Sequence, residues 1–368
     1  MTDPRVQKFA EILVNHSARI VKGDRVLIEA TQAANPLIRE LYKQILEKEA
    51  YPVPMIRDFD EQDINYLKYA SDEQLDYVPP LRKMAYEEFE SRIRISSLTN
   101  TRALSKMDTK RIQRRGKALG QITATQMRRG AAGKFKWVST LFPTEAYAQD
   151  AEMSLSDYED FVYRACHANE DDPITFWNGV REKQQAAVDN IQGHDQVVLQ
   201  GPNVDLSLSI KDRIFLNSAG VYNMPDGEIY TGPVEKSVNG WVKFTYPAIY
   251  KGNVVEGAEL TFSNGKVSSA KADKNQDFLL QMLDTDEGSR YLGEFAIGTN
   301  FEIDKFTGQI LFDEKIGGSF HMALGASYPE TGGMNKSAIH WDMICDMRKD
   351  SQILVDGELY YKDGNFVF

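Results

Sequence analysis

A change of periodicity near Gly193 constrains this 368-residue chain more than any other feature. Before it, short apolar runs of strand length alternate with segments whose apolar residues recur at helical spacing. After it, alternating or β-branched runs follow one another between turn residues. Two architectures are implied, and the length itself exceeds what one core of ordinary size organises.

In the first part, Thr2 or Asp3 can cap a helix with Pro4 in its first turn and Val6, Phe9, Ala10, Leu13 and Val14 on one face. Gly23-Asp24 breaks the chain before the strand candidate Arg25–Ala30. Asn35-Pro36 opens a helix with Leu37, Ile38, Leu41, Ile45 and Leu46 on one side. Val53–Arg57 reads as a second strand, and Pro54 assigns it to an edge or a strand start. A helix over Leu81–Phe89 then leads into a third strand, Arg92–Leu98. Strand, helix, strand, helix, strand is the signature of a parallel sheet with right-handed crossovers. Further helices are expected over Met153–Cys166 and from Asp171-Asp172-Pro173 to Ile191, after a strand at Lys136–Thr140.

Beyond Gly193 the runs Val197–Leu199, Val204–Ile210, Lys243–Tyr246 and Leu260–Phe262 read as strands, with hairpin signals at Asn239-Gly240 and Asn264-Gly265. One helix, Asn275–Leu283, interrupts them, and Gln352–Gly357 closes the region. The expected organisation is an α/β parallel-sheet domain over residues 1–190 and a mainly antiparallel, β-rich metal-binding domain over residues 191–368.

The formal net charge of −11 argues against broad nucleic-acid binding. One stretch departs from it: Lys106 to Lys136 holds ten basic residues and a single acidic one, Asp108. A solvated helix face or subunit contact accounts for this, and a positive wall facing an anionic substrate end is the alternative. Nucleotide-binding glycine motifs are missing, since Gly130-Ala131-Ala132-Gly133 lacks phosphate-loop spacing. Cys166 and Cys345 are the only cysteines, which makes a disulfide framework unexpected and a reducing, cytoplasmic setting the default. No signal-peptide pattern and no apolar run long enough to span a bilayer is seen.

Chemistry concentrates between residues 228 and 342: Glu228 after Pro225-Asp226-Gly227, Glu294 after Gly293, Glu314, His321, and the pair His340-Trp341-Asp342. Alternate residues of a strand share a face, so His340 and Asp342 can grip one ion or two close ones. Glu294 stands in the apolar stretch Gly293–Gly298, where a buried carboxylate is costly without a cation or hydrogen-bond donor. Glu228 would, by itself, fit an exposed hairpin glutamate. Glu314 follows Ile310–Asp313, read as a strand entering the tight loop at Gly317-Gly318, and His321 lies among apolar neighbours. Carboxylates and imidazoles without thiolates suit zinc, cobalt or manganese. Calcium, which prefers six to eight oxygens, is disfavoured by the two histidines. His16, His167 and His194 read as structural or exposed.

The segments Val221–Pro233, Leu292–Asn300, Leu311–Lys315, His321–Tyr328 and Ala338–Asp342, in this order, resemble the thermophilic-type metallo-aminopeptidases, the M29 family. The resemblance spans the chain and is strongest after residue 220. It implies a two-metal exopeptidase site with Glu228, Glu294, Glu314, His321, His340 and Asp342 as ligands and Glu294 between both ions. It also implies Tyr328 at the active site, suited to hydrogen-bond a developing oxyanion. Two ions about 3.5–4 Å apart can polarise a scissile carbonyl and acidify a water, with Glu294 or Glu314 as general base. One ion holding the free α-amino group would restrict cleavage to the N-terminal residue of short peptides. A homodimer enclosing its sites is implied too. Another metal-dependent amide or ester hydrolase, or a non-catalytic peptide-binding protein, are the competing functions.

Overall fold

The computed structural model describes residues 3–57 and 61–368. Its contacts divide the chain into two compact units. One is the chain up to Trp177 together with Gly220–Pro225, and the other is Asn178–Ala219 with Asp226–Phe368.

The first unit is built on a five-stranded sheet in the order Tyr51–Arg57, Arg25–Thr31, Ser91–Ser96, Lys136–Leu141, Asn223–Met224, parallel throughout. Helices follow the strands, as the crossover pattern requires. Asp3 caps Pro4–Glu11 by accepting from Arg5 N at 2.9 Å; Thr2 lies outside the described residues. The Tyr51–Arg57 strand is at the sheet edge, as Pro54 led one to expect. Tyr51 N donates to Asp24 O at 2.8 Å, so odd positions face the neighbouring strand. Pro52 and Pro54 therefore stand at positions whose N–H would point outward, and the free edge lacks two donors.

The basic run is the helix Thr109–Ala131. Several of its cations are used within the unit. Arg114 bridges Asp72 and Asp76 at 2.5 Å each, while Arg111 and Arg115 donate to carbonyls of Leu67, Ala70, Leu75 and Tyr77. His16 and His167 are buried. His167 follows the helix Leu155–Ala165 at φ 55° and stacks on Phe176 with ring centroids 3.7 Å apart. His194 is exposed and pairs with Asp356 at 2.9 Å. Cys166 and Cys345 are free and buried. Among the described residues, no helix is long and apolar enough to cross a membrane.

In the second unit, an antiparallel eight-stranded sheet runs from Lys266–Lys271 at one edge to Asn365–Phe366 at the other. A five-stranded sheet accompanies it, in the order His340–Asp346, Ser319–Gly325, Leu292–Gly298, Glu228–Thr231, Leu216–Ser218. The two share one core. Val197, Leu199, Leu206 and Val242 of the larger sheet join Phe295, Ile297, Phe320, Met322, Trp341 and Met343 of the smaller. Asn264 (φ 50°) and Gly265 (φ 83°) make the expected two-residue hairpin turn. Asn239-Gly240 does not. It opens the strand Asn239–Lys243, where Gly240 lies so close to Asp205 O that a Cβ would stand 2.2 Å from it. The strand expected over Lys243–Tyr246 thus ends where it should begin, because pairing with Val204–Ser207 fixes the register two turns of the pleat earlier.

Candidate metal centre

Period-two alternation assigns each strand of the smaller sheet two faces, and one of them is the core. Phe295 and Ile297, then Phe320, Met322 and Leu324, then Trp341, Met343 and Cys345, point into it. Glu294, His321, His340 and Asp342 are the residues in between, so they project from the opposite face. Ile229 is a core residue, which sends Glu228 to that same second face. Cross-strand register then gathers them: Ala323 pairs with both Glu294 and Asp342, Ala296 pairs with His321, and Gly325 with His340. Small residues in these cross-strand positions leave room between the ligand side chains.

The Glu294 strand needs one adjustment. Leu292 pairs with Leu324 but Glu294 pairs with Ala323, so the register slips by one at Gly293. This bulge lets Leu292 face the core and Glu294 face away, although two residues apart they would otherwise share a side. Gly293 is required there, since a Cβ would lie 2.2 Å from Ala326 O and 2.4 Å from Gly325 O.

Glu314 arrives differently. The run Ile310–Asp313 is a short helix and not a strand, with Glu314 at its C-terminal cap. The cause is local: Asp313 accepts hydrogen bonds from Thr307 N at 2.7 Å and Thr307 Oγ1 at 2.9 Å, which curls the segment. Tyr328 ends the loop after Gly325, with its ring centroid 5.1 Å from that of His340 and 5.7 Å from that of Tyr230.

The six acidic and histidine side chains named from the sequence come together. His340 Nε2 lies 3.1 Å from Glu294 Oε2 and 3.3 Å from Asp342 Oδ1. His321 Nε2 lies 3.6 Å from Glu228 Oε2 and 4.0 Å from Glu294 Oε1. Ligand atoms of Glu294, His340 and Asp342 fall within 4.8 Å of one another, as do those of Glu314, His321 and Asp342. Asp342 belongs to both trios. His340 Nδ1 lies 2.8 Å from Ala326 O, which leaves Nε2 turned to the carboxylates.

The electrostatics are those of a site short of positive charge. Burial pushes the Glu228 and Glu314 carboxyls up, and the Lys315 ammonium opposes this without cancelling it. Burial also disfavours a charged His340, but Asp342 and Glu294 outweigh it and hold the imidazolium up to about 12. Asp342, raised by burial, is pulled down to about 2 by His340. The Tyr328 hydroxyl is pushed up by burial and then by Glu294, Asp342 and Glu314, so it keeps its proton. Glu228 Oε2, His321 Nδ1 and Asp342 Oδ1 are buried without a hydrogen-bond partner. Orphaned carboxylate oxygens beside imidazoles, with no thiolate, fit one or two divalent cations.

Lys315 was not foreseen. It is fully buried, 3.4 Å from Glu228 Oε1 and in contact with Glu314. A lysine between Asp313-Glu314 and the apolar-glycine stretch Ile316–Gly318 was the available signal.

A cluster of this donor set on a sheet backed by a hydrophobic core is the kind of site that could hold divalent metal ions. The chain belongs to the M29 family of thermophilic metalloproteases, whose profile matches residues 2–366. It is similar to Aminopeptidase 2 of Geobacillus stearothermophilus, 29% identical, with 100% of this chain and 98% of that protein aligned. Aminopeptidase AmpS of Bacillus subtilis is 27% identical over 99% of this chain and 98% of its own length. Among solved structures, wild-type AmpT from Thermus thermophilus has the same fold, with a TM-score of 0.86 over 99% of both chains at 22% identity.

Proposed function

We propose that this protein is an aminopeptidase that removes the N-terminal residue of short peptides, using two divalent ions held by Glu228, Glu294, Glu314, His321, His340 and Asp342. The observation that carries this reading is the pair of ligand trios joined at Asp342, each with an imidazole and two carboxylates. Full-length relatives named aminopeptidases support the choice of substrate. Two ions bound there would supply Lewis acidity and a water acidified toward neutral pH.

The chain's own groups do the rest. Glu294 and Glu314 are the candidate bases, since each is a carboxylate held in the cluster and able to accept a proton from a nearby water. Glu294 contacts both histidines and Asp342 is common to both trios, so these two carboxylates would lie between the ions. Tyr328 keeps its proton and stands over His340, so it can donate to the oxygen that gains charge as the carbonyl is attacked. With two ions bound, one of them would be open to the substrate's free α-amine, in keeping with a requirement for a free N-terminus. Zinc, cobalt and manganese all suit the donor set. We further assign a homodimer working in the cytoplasm; the buried free thiols of Cys166 and Cys345 suit a reducing compartment.

The test is hydrolysis of an aminoacyl-anilide before and after chelation, with zinc, cobalt or manganese restored, and of the same substrate acetylated on its amine. Activity that needs metal and a free amine supports the proposal. Undiminished cleavage of the acetylated substrate would instead indicate a general amidase, and a chelated enzyme at full rate would exclude metal catalysis. Light scattering that returns a monomer at micromolar concentration would remove the dimer.

A further inference from the structure

Lys315 sits in the cluster as a cation the chain supplies itself. Its position is fixed from both sides. Asn300 N donates to Lys315 O at 3.1 Å, and Lys315 N donates to Phe312 O at 2.9 Å. Gly298, at the end of the Glu294 strand, lets this loop press close, for a Cβ there would stand 2.3 Å from Ile316 O and 3.0 Å from Lys315 C. The ammonium is consequently out of reach of solvent, beside Glu228 and Glu314. It is not distributed evenly over the site. The trio Glu314, His321 and Asp342 includes one of its partners, and Glu228, its other partner, lies against His321. Neither salt-bridge contact of Lys315 reaches the trio Glu294, His340 and Asp342.

We propose that Lys315 is a positioning residue that makes the two ion sites unequal: an ion on Glu294, His340 and Asp342 is held tightly, and one on Glu314, His321 and Asp342 is exchangeable. The inference rests on the two-ion reading above. The physical ground is that a divalent ion entering the second trio meets a buried ammonium, and like charges at short range in a poorly screened interior repel strongly. The same ammonium occupies lone pairs of Glu314 and Glu228 that the ion would otherwise share. The first trio holds neither salt-bridge partner of Lys315 and feels the ammonium only through the shared Asp342. Lys315 also keeps Glu228 and Glu314 apart and oriented when the second ion has left, so the site can reload without rearrangement.

The experiment follows release of zinc from the loaded enzyme to a chromophoric chelator, with total zinc counted by elemental analysis. The natural sequence should carry two zinc ions per chain and release them in two phases, one faster by about tenfold or more. Lys315→Met, loaded during expression so that no metal-free state is required, should slow the fast phase until the two rates converge. Lys315→Gln provides the same neutralisation with a polar side chain should the methionine variant fail to fold, and Lys315→Arg should restore two phases. Two ions released in an unchanged ratio from the neutral variants would overturn the role of Lys315 and leave the two-ion reading standing. Fewer than two ions on the natural sequence would overturn that reading, and this inference with it.

Discussion

Gly293 occupies the extra position of the bulge that turns Glu294 away from the core, and the two residues act as one device. Gly293→Ala would place a methyl group 2.2 Å from Ala326 O, so the strand must shift to admit it. A displacement near 1 Å of a catalytic group is enough to cost roughly a hundredfold in rate. We expect kcat/KM to fall by about that factor while far-UV circular dichroism stays unchanged. Activity within twofold of the natural enzyme would mean that the bulge does not set the position of Glu294.

Glu294→Gln separates two roles of one carboxylate. The substitution keeps the shape and removes the charge. Loss of bound metal together with activity would mark Glu294 as a ligand, which our assignment between the ions requires. Full metal content with activity lowered by about a hundredfold or more would mark it as the base alone. Elemental analysis and turnover measured on the same preparation distinguish the outcomes.

His167 gives the first unit an acid-sensitive point far in sequence from the ligands. Burial holds its pKa down to about 4, below the ordinary 6.5, although the half-exposed Glu170 carboxylate 3.8 Å away works the other way. Above pH 6.5 the ring is neutral in folded and unfolded chains alike and contributes no pH dependence. As the pH falls from about 6.5 toward about 4, the unfolded chain takes up a proton that the folded one refuses, so stability declines. The full effect is of the order of 3 kcal/mol. His167→Asn, which tolerates the left-handed backbone at φ 55°, should flatten this segment of the stability–pH curve measured by urea unfolding. An identical slope in both proteins would contradict the assignment.

Pro52 and Pro54 guard an edge whose side chains Tyr51 and Val53 are exposed. Replacing both with threonine restores two outward N–H groups on an apolar strand. Association beyond the state of the natural protein, rising with concentration in light scattering, is the expected result. Unchanged mass up to the highest soluble concentration would show that the edge is protected by something else.

How much of this was legible in the sequence follows from what kind of interaction fixes each part. His340 and Asp342 were visible as a pair because strand alternation is local. Glu294 was visible because a carboxylate inside Gly293–Gly298 needs an explanation wherever the strand goes. The parallel sheet of the first unit was visible through its strand and helix lengths. The run Ile310–Asp313 before Glu314 reads as a strand, since four apolar or acidic residues carry no decisive period and the Thr307–Asp313 hydrogen bonds that curl them span a turn. Arg114 and its neighbours could be read as a helix, yet their partners Asp72 and Asp76 lie 42 and 38 residues away, beyond any local pattern. Lys315 escaped for the same reason: its partner Glu228 is brought to it by sheet register.

The ordering of the small sheet has a consequence for how the protein acquires its ions during synthesis. Glu228, Glu294, Glu314 and His321 leave the ribosome well before His340 and Asp342, and these last two ride on the edge strand His340–Asp346 that completes the sheet. Asp342 is common to both trios, so neither is whole until residue 342 has emerged. Ions bound by complete trios would therefore not nucleate this fold as they do in small zinc domains. On the two-ion reading, the hydrophobic face of the sheet would assemble first and loading would be a finishing step.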